Sequence, residues 1–321
     1  MRRKLGRLLA MSWMAPPQPI QPHRLARNLT KLLGLLLVAW VLASALAEVA
    51  MLHPRHWGIG PSPAARGITY RDVVFSNSDG MTLRGWWMPG TRHQTLVMIH
   101  GWTSSRREPM DKSGYLLAAG YNVLVFDLRG HGASDGNYTT MGYRETDDVR
   151  AAIDVARGLD PGAPIALFGY SMGGSIAVEE AARNPAVSVV IEDSGFSTLL
   201  EVFSAGTHRI FGLPAFPLGL VYVAIAQRDL GVSIDSVRPV ADAARLTKPL
   251  LAILGTADQM VPAAEGYALY NAARGPKQLL VVPGAGHTQE YYLAPSKYKQ
   301  TVLAFLAASL PLPQLVATTG S

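Results

Sequence analysis

Gly169-Tyr170-Ser171-Met172-Gly173 decides the reading of this chain. The residues before it, Pro164-Ile165-Ala166-Leu167-Phe168, form an apolar run that reads as a buried strand, and Gly174 to Arg183 reads as a helix. A strand that turns directly into a helix forces the residue at the turn into a strained backbone. Glycine on either side lets the chain pass without a Cβ clash. The side chain at the turn then stands clear of the sheet, which is how a serine is presented as a nucleophile. Ser171 is that candidate. The simpler alternative is a tight strand-to-helix turn in which Ser171 caps the helix.

An unassisted hydroxyl is a poor nucleophile, so a base and an orienting acid are needed. Both are expected later in the chain, at strand ends. Pro249-Leu250-Leu251-Ala252-Ile253-Leu254 is strongly apolar, and Gly255-Thr256-Ala257-Asp258 follows it, just before Val261-Pro262 opens a helix. Gln278-Leu279-Leu280-Val281-Val282 leads in the same way to Pro283-Gly284-Ala285-Gly286-His287. The spacing therefore predicts Ser171, Asp258 and His287 as nucleophile, acid and base. Taken singly, Asp258 reads equally as a helix N-cap, and His287 as an exposed loop histidine. Asp193, in Ile191-Glu192-Asp193-Ser194, also ends a strand and is the rival acid.

Cleavage of an acyl bond places negative charge on the carbonyl oxygen, which backbone N–H groups can stabilise by roughly 2.7–4 kcal/mol per donor. Met172, at the start of its helix, is one expected donor. Trp102 is the second, in the loop after the strand Thr95-Leu96-Val97-Met98-Ile99. His100 is read as a structural residue beside the site. In Phe126-Asp127-Leu128-Arg129-Gly130-His131-Gly132, Asp127 and Arg129 are expected to pair and brace the loop, with His131 packed there.

Together, His100-Gly101, Asp127 to Gly132, the serine pentapeptide, Gly255 to Asp258 and Gly286-His287 resemble the α/β-hydrolase superfamily. The likeness extends to its serine-hydrolase branch, which holds the ABHD-type proteins and bacterial relatives. It covers about Tyr70 to Leu310. The resemblance implies an α/β-hydrolase fold: a mostly parallel eight-stranded sheet with helices on both faces and a small helical lid. It also implies a Ser–His–Asp triad on Ser171, His287 and Asp258, an acyl-enzyme intermediate, and no metal or organic cofactor. Relatives often carry a small or polar residue where this chain has Trp102.

The 321 residues contain no cysteine, which excludes a thiol nucleophile, disulfides and cysteine metal sites. The net charge of +6 is uneven. Arg2, Arg3, Lys4, Arg7, Arg24, Arg27 and Lys31 all precede the first acidic residue, Glu48, and without these seven the net charge is −1. A nucleic-acid footprint is therefore not expected. The apolar run from Leu32 to Leu52 would span roughly 30 Å as a helix, the thickness of a bilayer core. Positive charge before it predicts an N-terminus in the cytoplasm and a globular domain outside. Two alternatives stay open: a signal peptide cleaved and the protein secreted, with Ala45-Leu46-Ala47 resembling the cleavage site, and a buried core helix.

The predicted organisation is a basic tail over 1–31, a transmembrane anchor over 32–52, a Pro/Gly-rich linker over 53–69, a hydrolase domain over 70–310 and a disordered tail over 311–321. Asn77-Ser78-Asp79-Gly80 reads as a hairpin turn. Alternating patterns predict strands near 95–99, 122–126, 165–169 and 187–191, with helices near 107–119, 144–158, 172–184 and 296–309. Residues 196–240 break the alternation and read as the lid. The functional expectation is a membrane-anchored serine hydrolase acting on carboxylic esters or thioesters of acyl substrates. The alternatives are a proline-aminopeptidase-type peptidase, which needs an acid to hold the substrate amine, and a non-catalytic binding module.

Overall fold

The computed structural model describes residues 22–54, 56, 58–203 and 215–312. Most of the predicted basic tail, most of the predicted C-terminal tail and the 204–214 part of the expected lid lie outside the described residues. The chain divides into two units, Met1–Ser44 and Ala45–Ser321.

One helix, α1 (Pro22–Leu52), starts ten residues before the predicted span. Its most apolar 18-residue window has a mean hydropathy of 2.3. Leucines and valines from Leu32 to Val49 stand exposed along it. At its end, Leu52 is 2% exposed and belongs to the core of the second unit.

A 3₁₀ turn at Pro63–Arg66 precedes the hairpin of β1 (Arg71–Ser76) and β2 (Thr82–Met88). The predicted turn forms as expected: Asn77 Oδ1 accepts the Met81 N–H, and Gly80 takes φ 78°. Alternation then begins with β3 (Thr95–Ile99), two short helices α2 (Arg107–Lys112) and α3 (Gly114–Ala118), and β4 (Asn122–Phe126). The sequence predicts one helix over 107–119. It breaks at Ser113, whose hydroxyl bonds back to the Met110 carbonyl just before Gly114, a poor helix former. The chain continues through α4 (Glu145–Leu159), β5 (Ile165–Tyr170), α5 (Met172–Arg183) and β6 (Val187–Asp193). After β6 come a helical turn at 199–203, α6 (Ala215–Leu230), a 3₁₀ turn at Ile234–Ser236 and α7 (Pro239–Ala243). The domain closes with β7 (Leu250–Gly255), α8 (Ala263–Ala272), β8 (Lys277–Val282), α9 (Glu290–Leu293) and α10 (Pro295–Ser309).

The eight strands form one sheet in the order β1-β2-β4-β3-β5-β6-β7-β8. β2 is antiparallel to both of its neighbours, and β3 to β8 are parallel. Every residue of β3, β4 and β5 is buried, as expected of parallel strands covered on both faces. Val97, Leu124 and Leu167 pack on one side with Val149 and Ile153 of α4 and Ile176 of α5. Leu96, Val123 and Phe168 pack on the other side with Leu116 of α3 and Val302 and Leu306 of α10. Each such side chain contributes about 1.5–3 kcal/mol on burial. In the segment between β6 and β7, Tyr222 of α6 is buried against Phe203, with ring centroids 4.9 Å apart.

The strand order fixes where a ligand can sit. β4 lies on one side of β3 and β5 on the other, so the loops after β3 and β5 leave in opposite directions and open a crevice at the strands' C-terminal ends. Ser171 follows β5 and Gly101-Trp102 follows β3.

Candidate active site

Ser171 is the single residue between β5 and α5, with φ 52° and ψ −120°. A left-handed φ is uncommon for a side chain with a Cβ, and the surroundings must hold it there. They do so by close approach. A Cβ at Gly169 would lie 2.0 Å from the Gly173 carbonyl oxygen, and one at Gly173 would lie 2.5 Å from the Ile99 carbonyl oxygen. Both positions of the pentapeptide therefore require glycine. The Ser171 N–H is held by the Asp193 carbonyl at 2.8 Å.

The three residues predicted from separate strand ends come together. His287 Nε2 lies 2.8 Å from Ser171 Oγ, and His287 Nδ1 lies 2.7 Å from Asp258 Oδ2. With Nδ1–H donating to the carboxylate, Nε2 is free to accept the serine proton. The other oxygen of Asp258 accepts the N–H groups of Met260 at 2.8 Å and Val261 at 2.9 Å. Asp258 thus shapes its own loop while its second oxygen orients the imidazole. The Asp258 side chain is nearly buried, at 2% exposed, and His287 remains 18% exposed toward the crevice.

Comparison with known proteins agrees with this fold. The model of the alpha/beta hydrolase family matches residues 96–299. The chain belongs to the alpha/beta-hydrolase family. An uncharacterised protein of Mycobacterium tuberculosis, Rv2307c, is 32% identical over 263 residues, covering 79% of this chain and 86% of that one. The alpha/beta hydrolase domain-containing protein WAV2 of Arabidopsis thaliana is 26% identical, covering 87% of this chain and 93% of that one. Among solved structures, the Pyrococcus furiosus esterase Pf2001 superposes with a TM-score of 0.67 at 26% identity, covering 80% of this chain and all of that one.

In this hydrolase the loop after β3 lies against the serine, since a Cβ at Gly101 would stand 3.2 Å from the Ser171 Cβ. Met172 is the first residue of α5, so its N–H has no carbonyl one turn earlier to bond. Trp102 follows Gly101, and its indole N–H donates to the Met51 carbonyl at 2.9 Å. His100 is fully buried: Nδ1–H donates to the Gly101 carbonyl at 2.7 Å and Nε2 accepts the Leu128 N–H at 3.0 Å. Burial lowers its pKa, so it stays neutral as a structural residue. His131 packs edge-on against it with centroids 5.0 Å apart, its pKa pushed down to about 4 by burial and by His100.

Asp193, the rival acid, is engaged elsewhere. Its Oδ2 accepts the Tyr298 hydroxyl at 2.6 Å, and Ser194 Oγ lies 3.1 Å from both Asp193 Oδ1 and Glu290 Oε1. A hydroxyl has one proton to give. Burial and the neighbouring Asp193 raise Glu290 to about 9, so its carboxyl supplies the second proton of the network.

The expected Asp127–Arg129 pair does not form. Asp127 binds the buried guanidinium of Arg106 at 2.7 and 2.9 Å and the N–H groups of Arg106 and Ala133. By Arg129 the chain has left the strand, and its guanidinium lies at the first turn of α4, bonded to Asp148 at 2.7 Å and Asp79 at 2.5 Å. The two residues brace two different loops.

Two side chains that the sequence did not single out tie the site together. Glu108 Oε2 accepts the Gly101 N–H at 3.0 Å, and Glu108 Oε1 meets Lys112 Nζ at 3.4 Å. Lys112, 2% exposed, also reaches the Thr288 carbonyl at 3.3 Å, directly after His287. Burial alone would raise the Glu108 carboxyl, but Lys112 and the Gly101 bond bring it below its usual range. The i,i+4 spacing of Glu108 and Lys112 was the available signal. Among the described residues, no cluster of His, Asp or Glu is arranged to hold a metal ion.

Proposed function

We propose that this hydrolase is a membrane-anchored serine enzyme that cleaves carboxylic esters or thioesters through Ser171, His287 and Asp258. The observation carrying this reading is the run of contacts from Ser171 Oγ to His287 Nε2 at 2.8 Å and from His287 Nδ1 to Asp258 at 2.7 Å. The likeness to the Pyrococcus furiosus esterase supports ester chemistry over other acyl bonds.

On this reading the reaction runs in two halves. His287 Nε2 takes the proton as Ser171 Oγ attacks the acyl carbon, and Asp258 stabilises the imidazolium that forms. The carbonyl oxygen becomes an oxyanion, held by the backbone N–H groups of Met172 and Trp102. His287 then gives its proton to the departing alkoxide or thiolate, leaving the acyl group on Ser171. A water enters, His287 takes one of its protons, and the hydroxide attacks the acyl carbon. The acid leaves as Ser171 Oγ regains a proton from His287.

A cavity of about 370 Å³, lined by Thr103, Ser104, Ser105 and Thr288 among others, lies beside the loops that carry Trp102 and His287. Its acids are already neutralised: Glu108 by Lys112, and Asp111 by Arg66 and Arg107. Among the described residues lining it, no acid is left unpaired to grip a substrate amine. For α1, the exposed apolar side chains from Leu32 to Val49 span about 26 Å, near the thickness of a bilayer core. The arginines and lysine before them favour a cytoplasmic N-terminus.

Turnover of p-nitrophenyl esters of increasing acyl length by the purified full chain tests the reading. Hydrolysis that is lost in Ser171→Ala supports it. Equal rates in the two proteins, or no hydrolysis of any ester or thioester, would overturn it.

A further inference from the structure

The last turn of α1 does more than connect an apolar helix to a domain. A helix leaves its last four carbonyls without partners in the helix, and each must find one elsewhere. Met51 finds its partner in the loop after β3, which carries Trp102, and Leu52 finds its partner in the loop between β4 and α4. The Met51 carbonyl accepts the indole N–H of Trp102 at 2.9 Å. The Leu52 carbonyl accepts the backbone N–H of Thr139 at 2.8 Å, and Thr139 Oγ1 touches Met172 Sδ at 4.0 Å. One helical turn thus holds the Trp102 side chain directly and reaches Met172 only through the side chain of Thr139.

The turn itself is held firmly. Leu52 is 2% exposed and packs in the same apolar cluster as Met141 and Met172. The Tyr222 hydroxyl of α6 lies 3.2 Å from Met51 Sδ, and His53 Nδ1 lies 2.7 Å from the Asn137 carbonyl. Leu52 also lines a narrow apolar cavity with Met141, Leu199, Phe203 and Tyr222. A large aromatic at the position after His100-Gly101 would crowd an oxyanion loop if it turned toward the serine. Here its indole is anchored on α1 instead, at the Met51 carbonyl.

We propose that the C-terminal turn of α1 is a working part of the hydrolase site, and that the Trp102 indole is a positioning group that sets the oxyanion loop through the Met51 carbonyl. This rests on the serine-hydrolase reading above. The helix end and the oxyanion loop then move as one piece, so a displacement of α1 is felt as a loss of transition-state stabilisation rather than of substrate binding.

The test uses the full chain in detergent, with each preparation normalised to the sites that react with a fluorophosphonate. Trp102→Phe keeps an aromatic ring at the position but removes the indole N–H together with part of the bicyclic ring. It is expected to lower kcat per titrated site about 10-fold, with KM and the pH profile unchanged, because a donor is displaced and not deleted. Leu52→Ala, which loosens the same turn, is expected to lower kcat in the wild type but to add little in the Trp102→Phe background. Unchanged kcat per site in Trp102→Phe, or fully additive effects, overturns the inference and leaves the hydrolase reading standing. A wild-type chain that neither hydrolyses esters nor reacts with the probe removes both.

Discussion

Ser171 is held at φ 52° with its hydroxyl on His287, and that strain is affordable only because nothing larger than hydrogen occupies Gly169 and Gly173. Gly173→Ala drives a methyl into the Ile99 and His100 carbonyls, so we expect a loss of folded protein on expression, read by the yield of the monodisperse fraction in detergent. Asp258→Asn preserves shape but removes the charge that stabilises the imidazolium and can select the wrong tautomer of His287. A fall in kcat of about 10⁴-fold is expected, with thermal stability changed little. A fall of less than about tenfold would assign the orienting role to another group. Asp193 is the first to examine, although the Tyr298 hydroxyl occupies it.

At the level of elements, the loop that carries His287 is supported by Ser194, just past β6, and by Lys112 of α2. The Thr288 N–H lies 3.3 Å from Ser194 Oγ, its carbonyl meets Lys112, and its own φ is 52°. The acids beneath this loop give it a pH signature. Burial raises Glu290 to about 9, against roughly 4.3 in an unfolded chain. Between those values the folded state holds a proton that the unfolded state has lost, so stability falls as pH rises across the window. Burial raises Glu192 and Asp193 as well, which reinforces the trend. The thermal midpoint of the wild type is therefore expected to decline from pH 5 to pH 9, and Glu290→Gln should flatten that decline. An equal slope in both proteins would mean that Glu290 is not the proton carrier.

The same scale explains what could be read in advance. That Ser171, Asp258 and His287 would meet was legible because each lies within five residues of a strand end, and a parallel sheet brings strand ends to one rim whatever the side-chain details. The hairpin at Asn77 to Gly80 was legible for a local reason, the turn chemistry of Asn and Gly. Partners across loops were not. Arg106 displaced Arg129 as the mate of Asp127, and the contact of Glu108 with Gly101 joins elements whose approach depends on the whole sheet order. The break at Ser113 was missed because a helical apolar pattern continues through it on both sides.

For the molecule as a whole, charge and hydropathy divide a near-neutral hydrolase domain from a basic, apolar N-terminal region. If α1 crosses a bilayer, the protein should sediment with membranes, resist a high-salt wash and be released by detergent. Release by salt alone would indicate attachment by charge. Recovery of a soluble chain beginning near Glu48 would indicate cleavage at Ala45-Leu46-Ala47, with the turn from Glu48 to Leu52 still in place on the hydrolase domain.

The central claim is that Ser171 is the nucleophile, activated by His287. Reaction of the intact protein with a fluorophosphonate, followed by peptide mass spectrometry, tests it most directly. The account predicts one adduct, on the peptide containing Ser171, absent in Ser171→Ala and formed far more slowly in His287→Ala. An adduct on another residue, or equal labelling of Ser171→Ala, would contradict it.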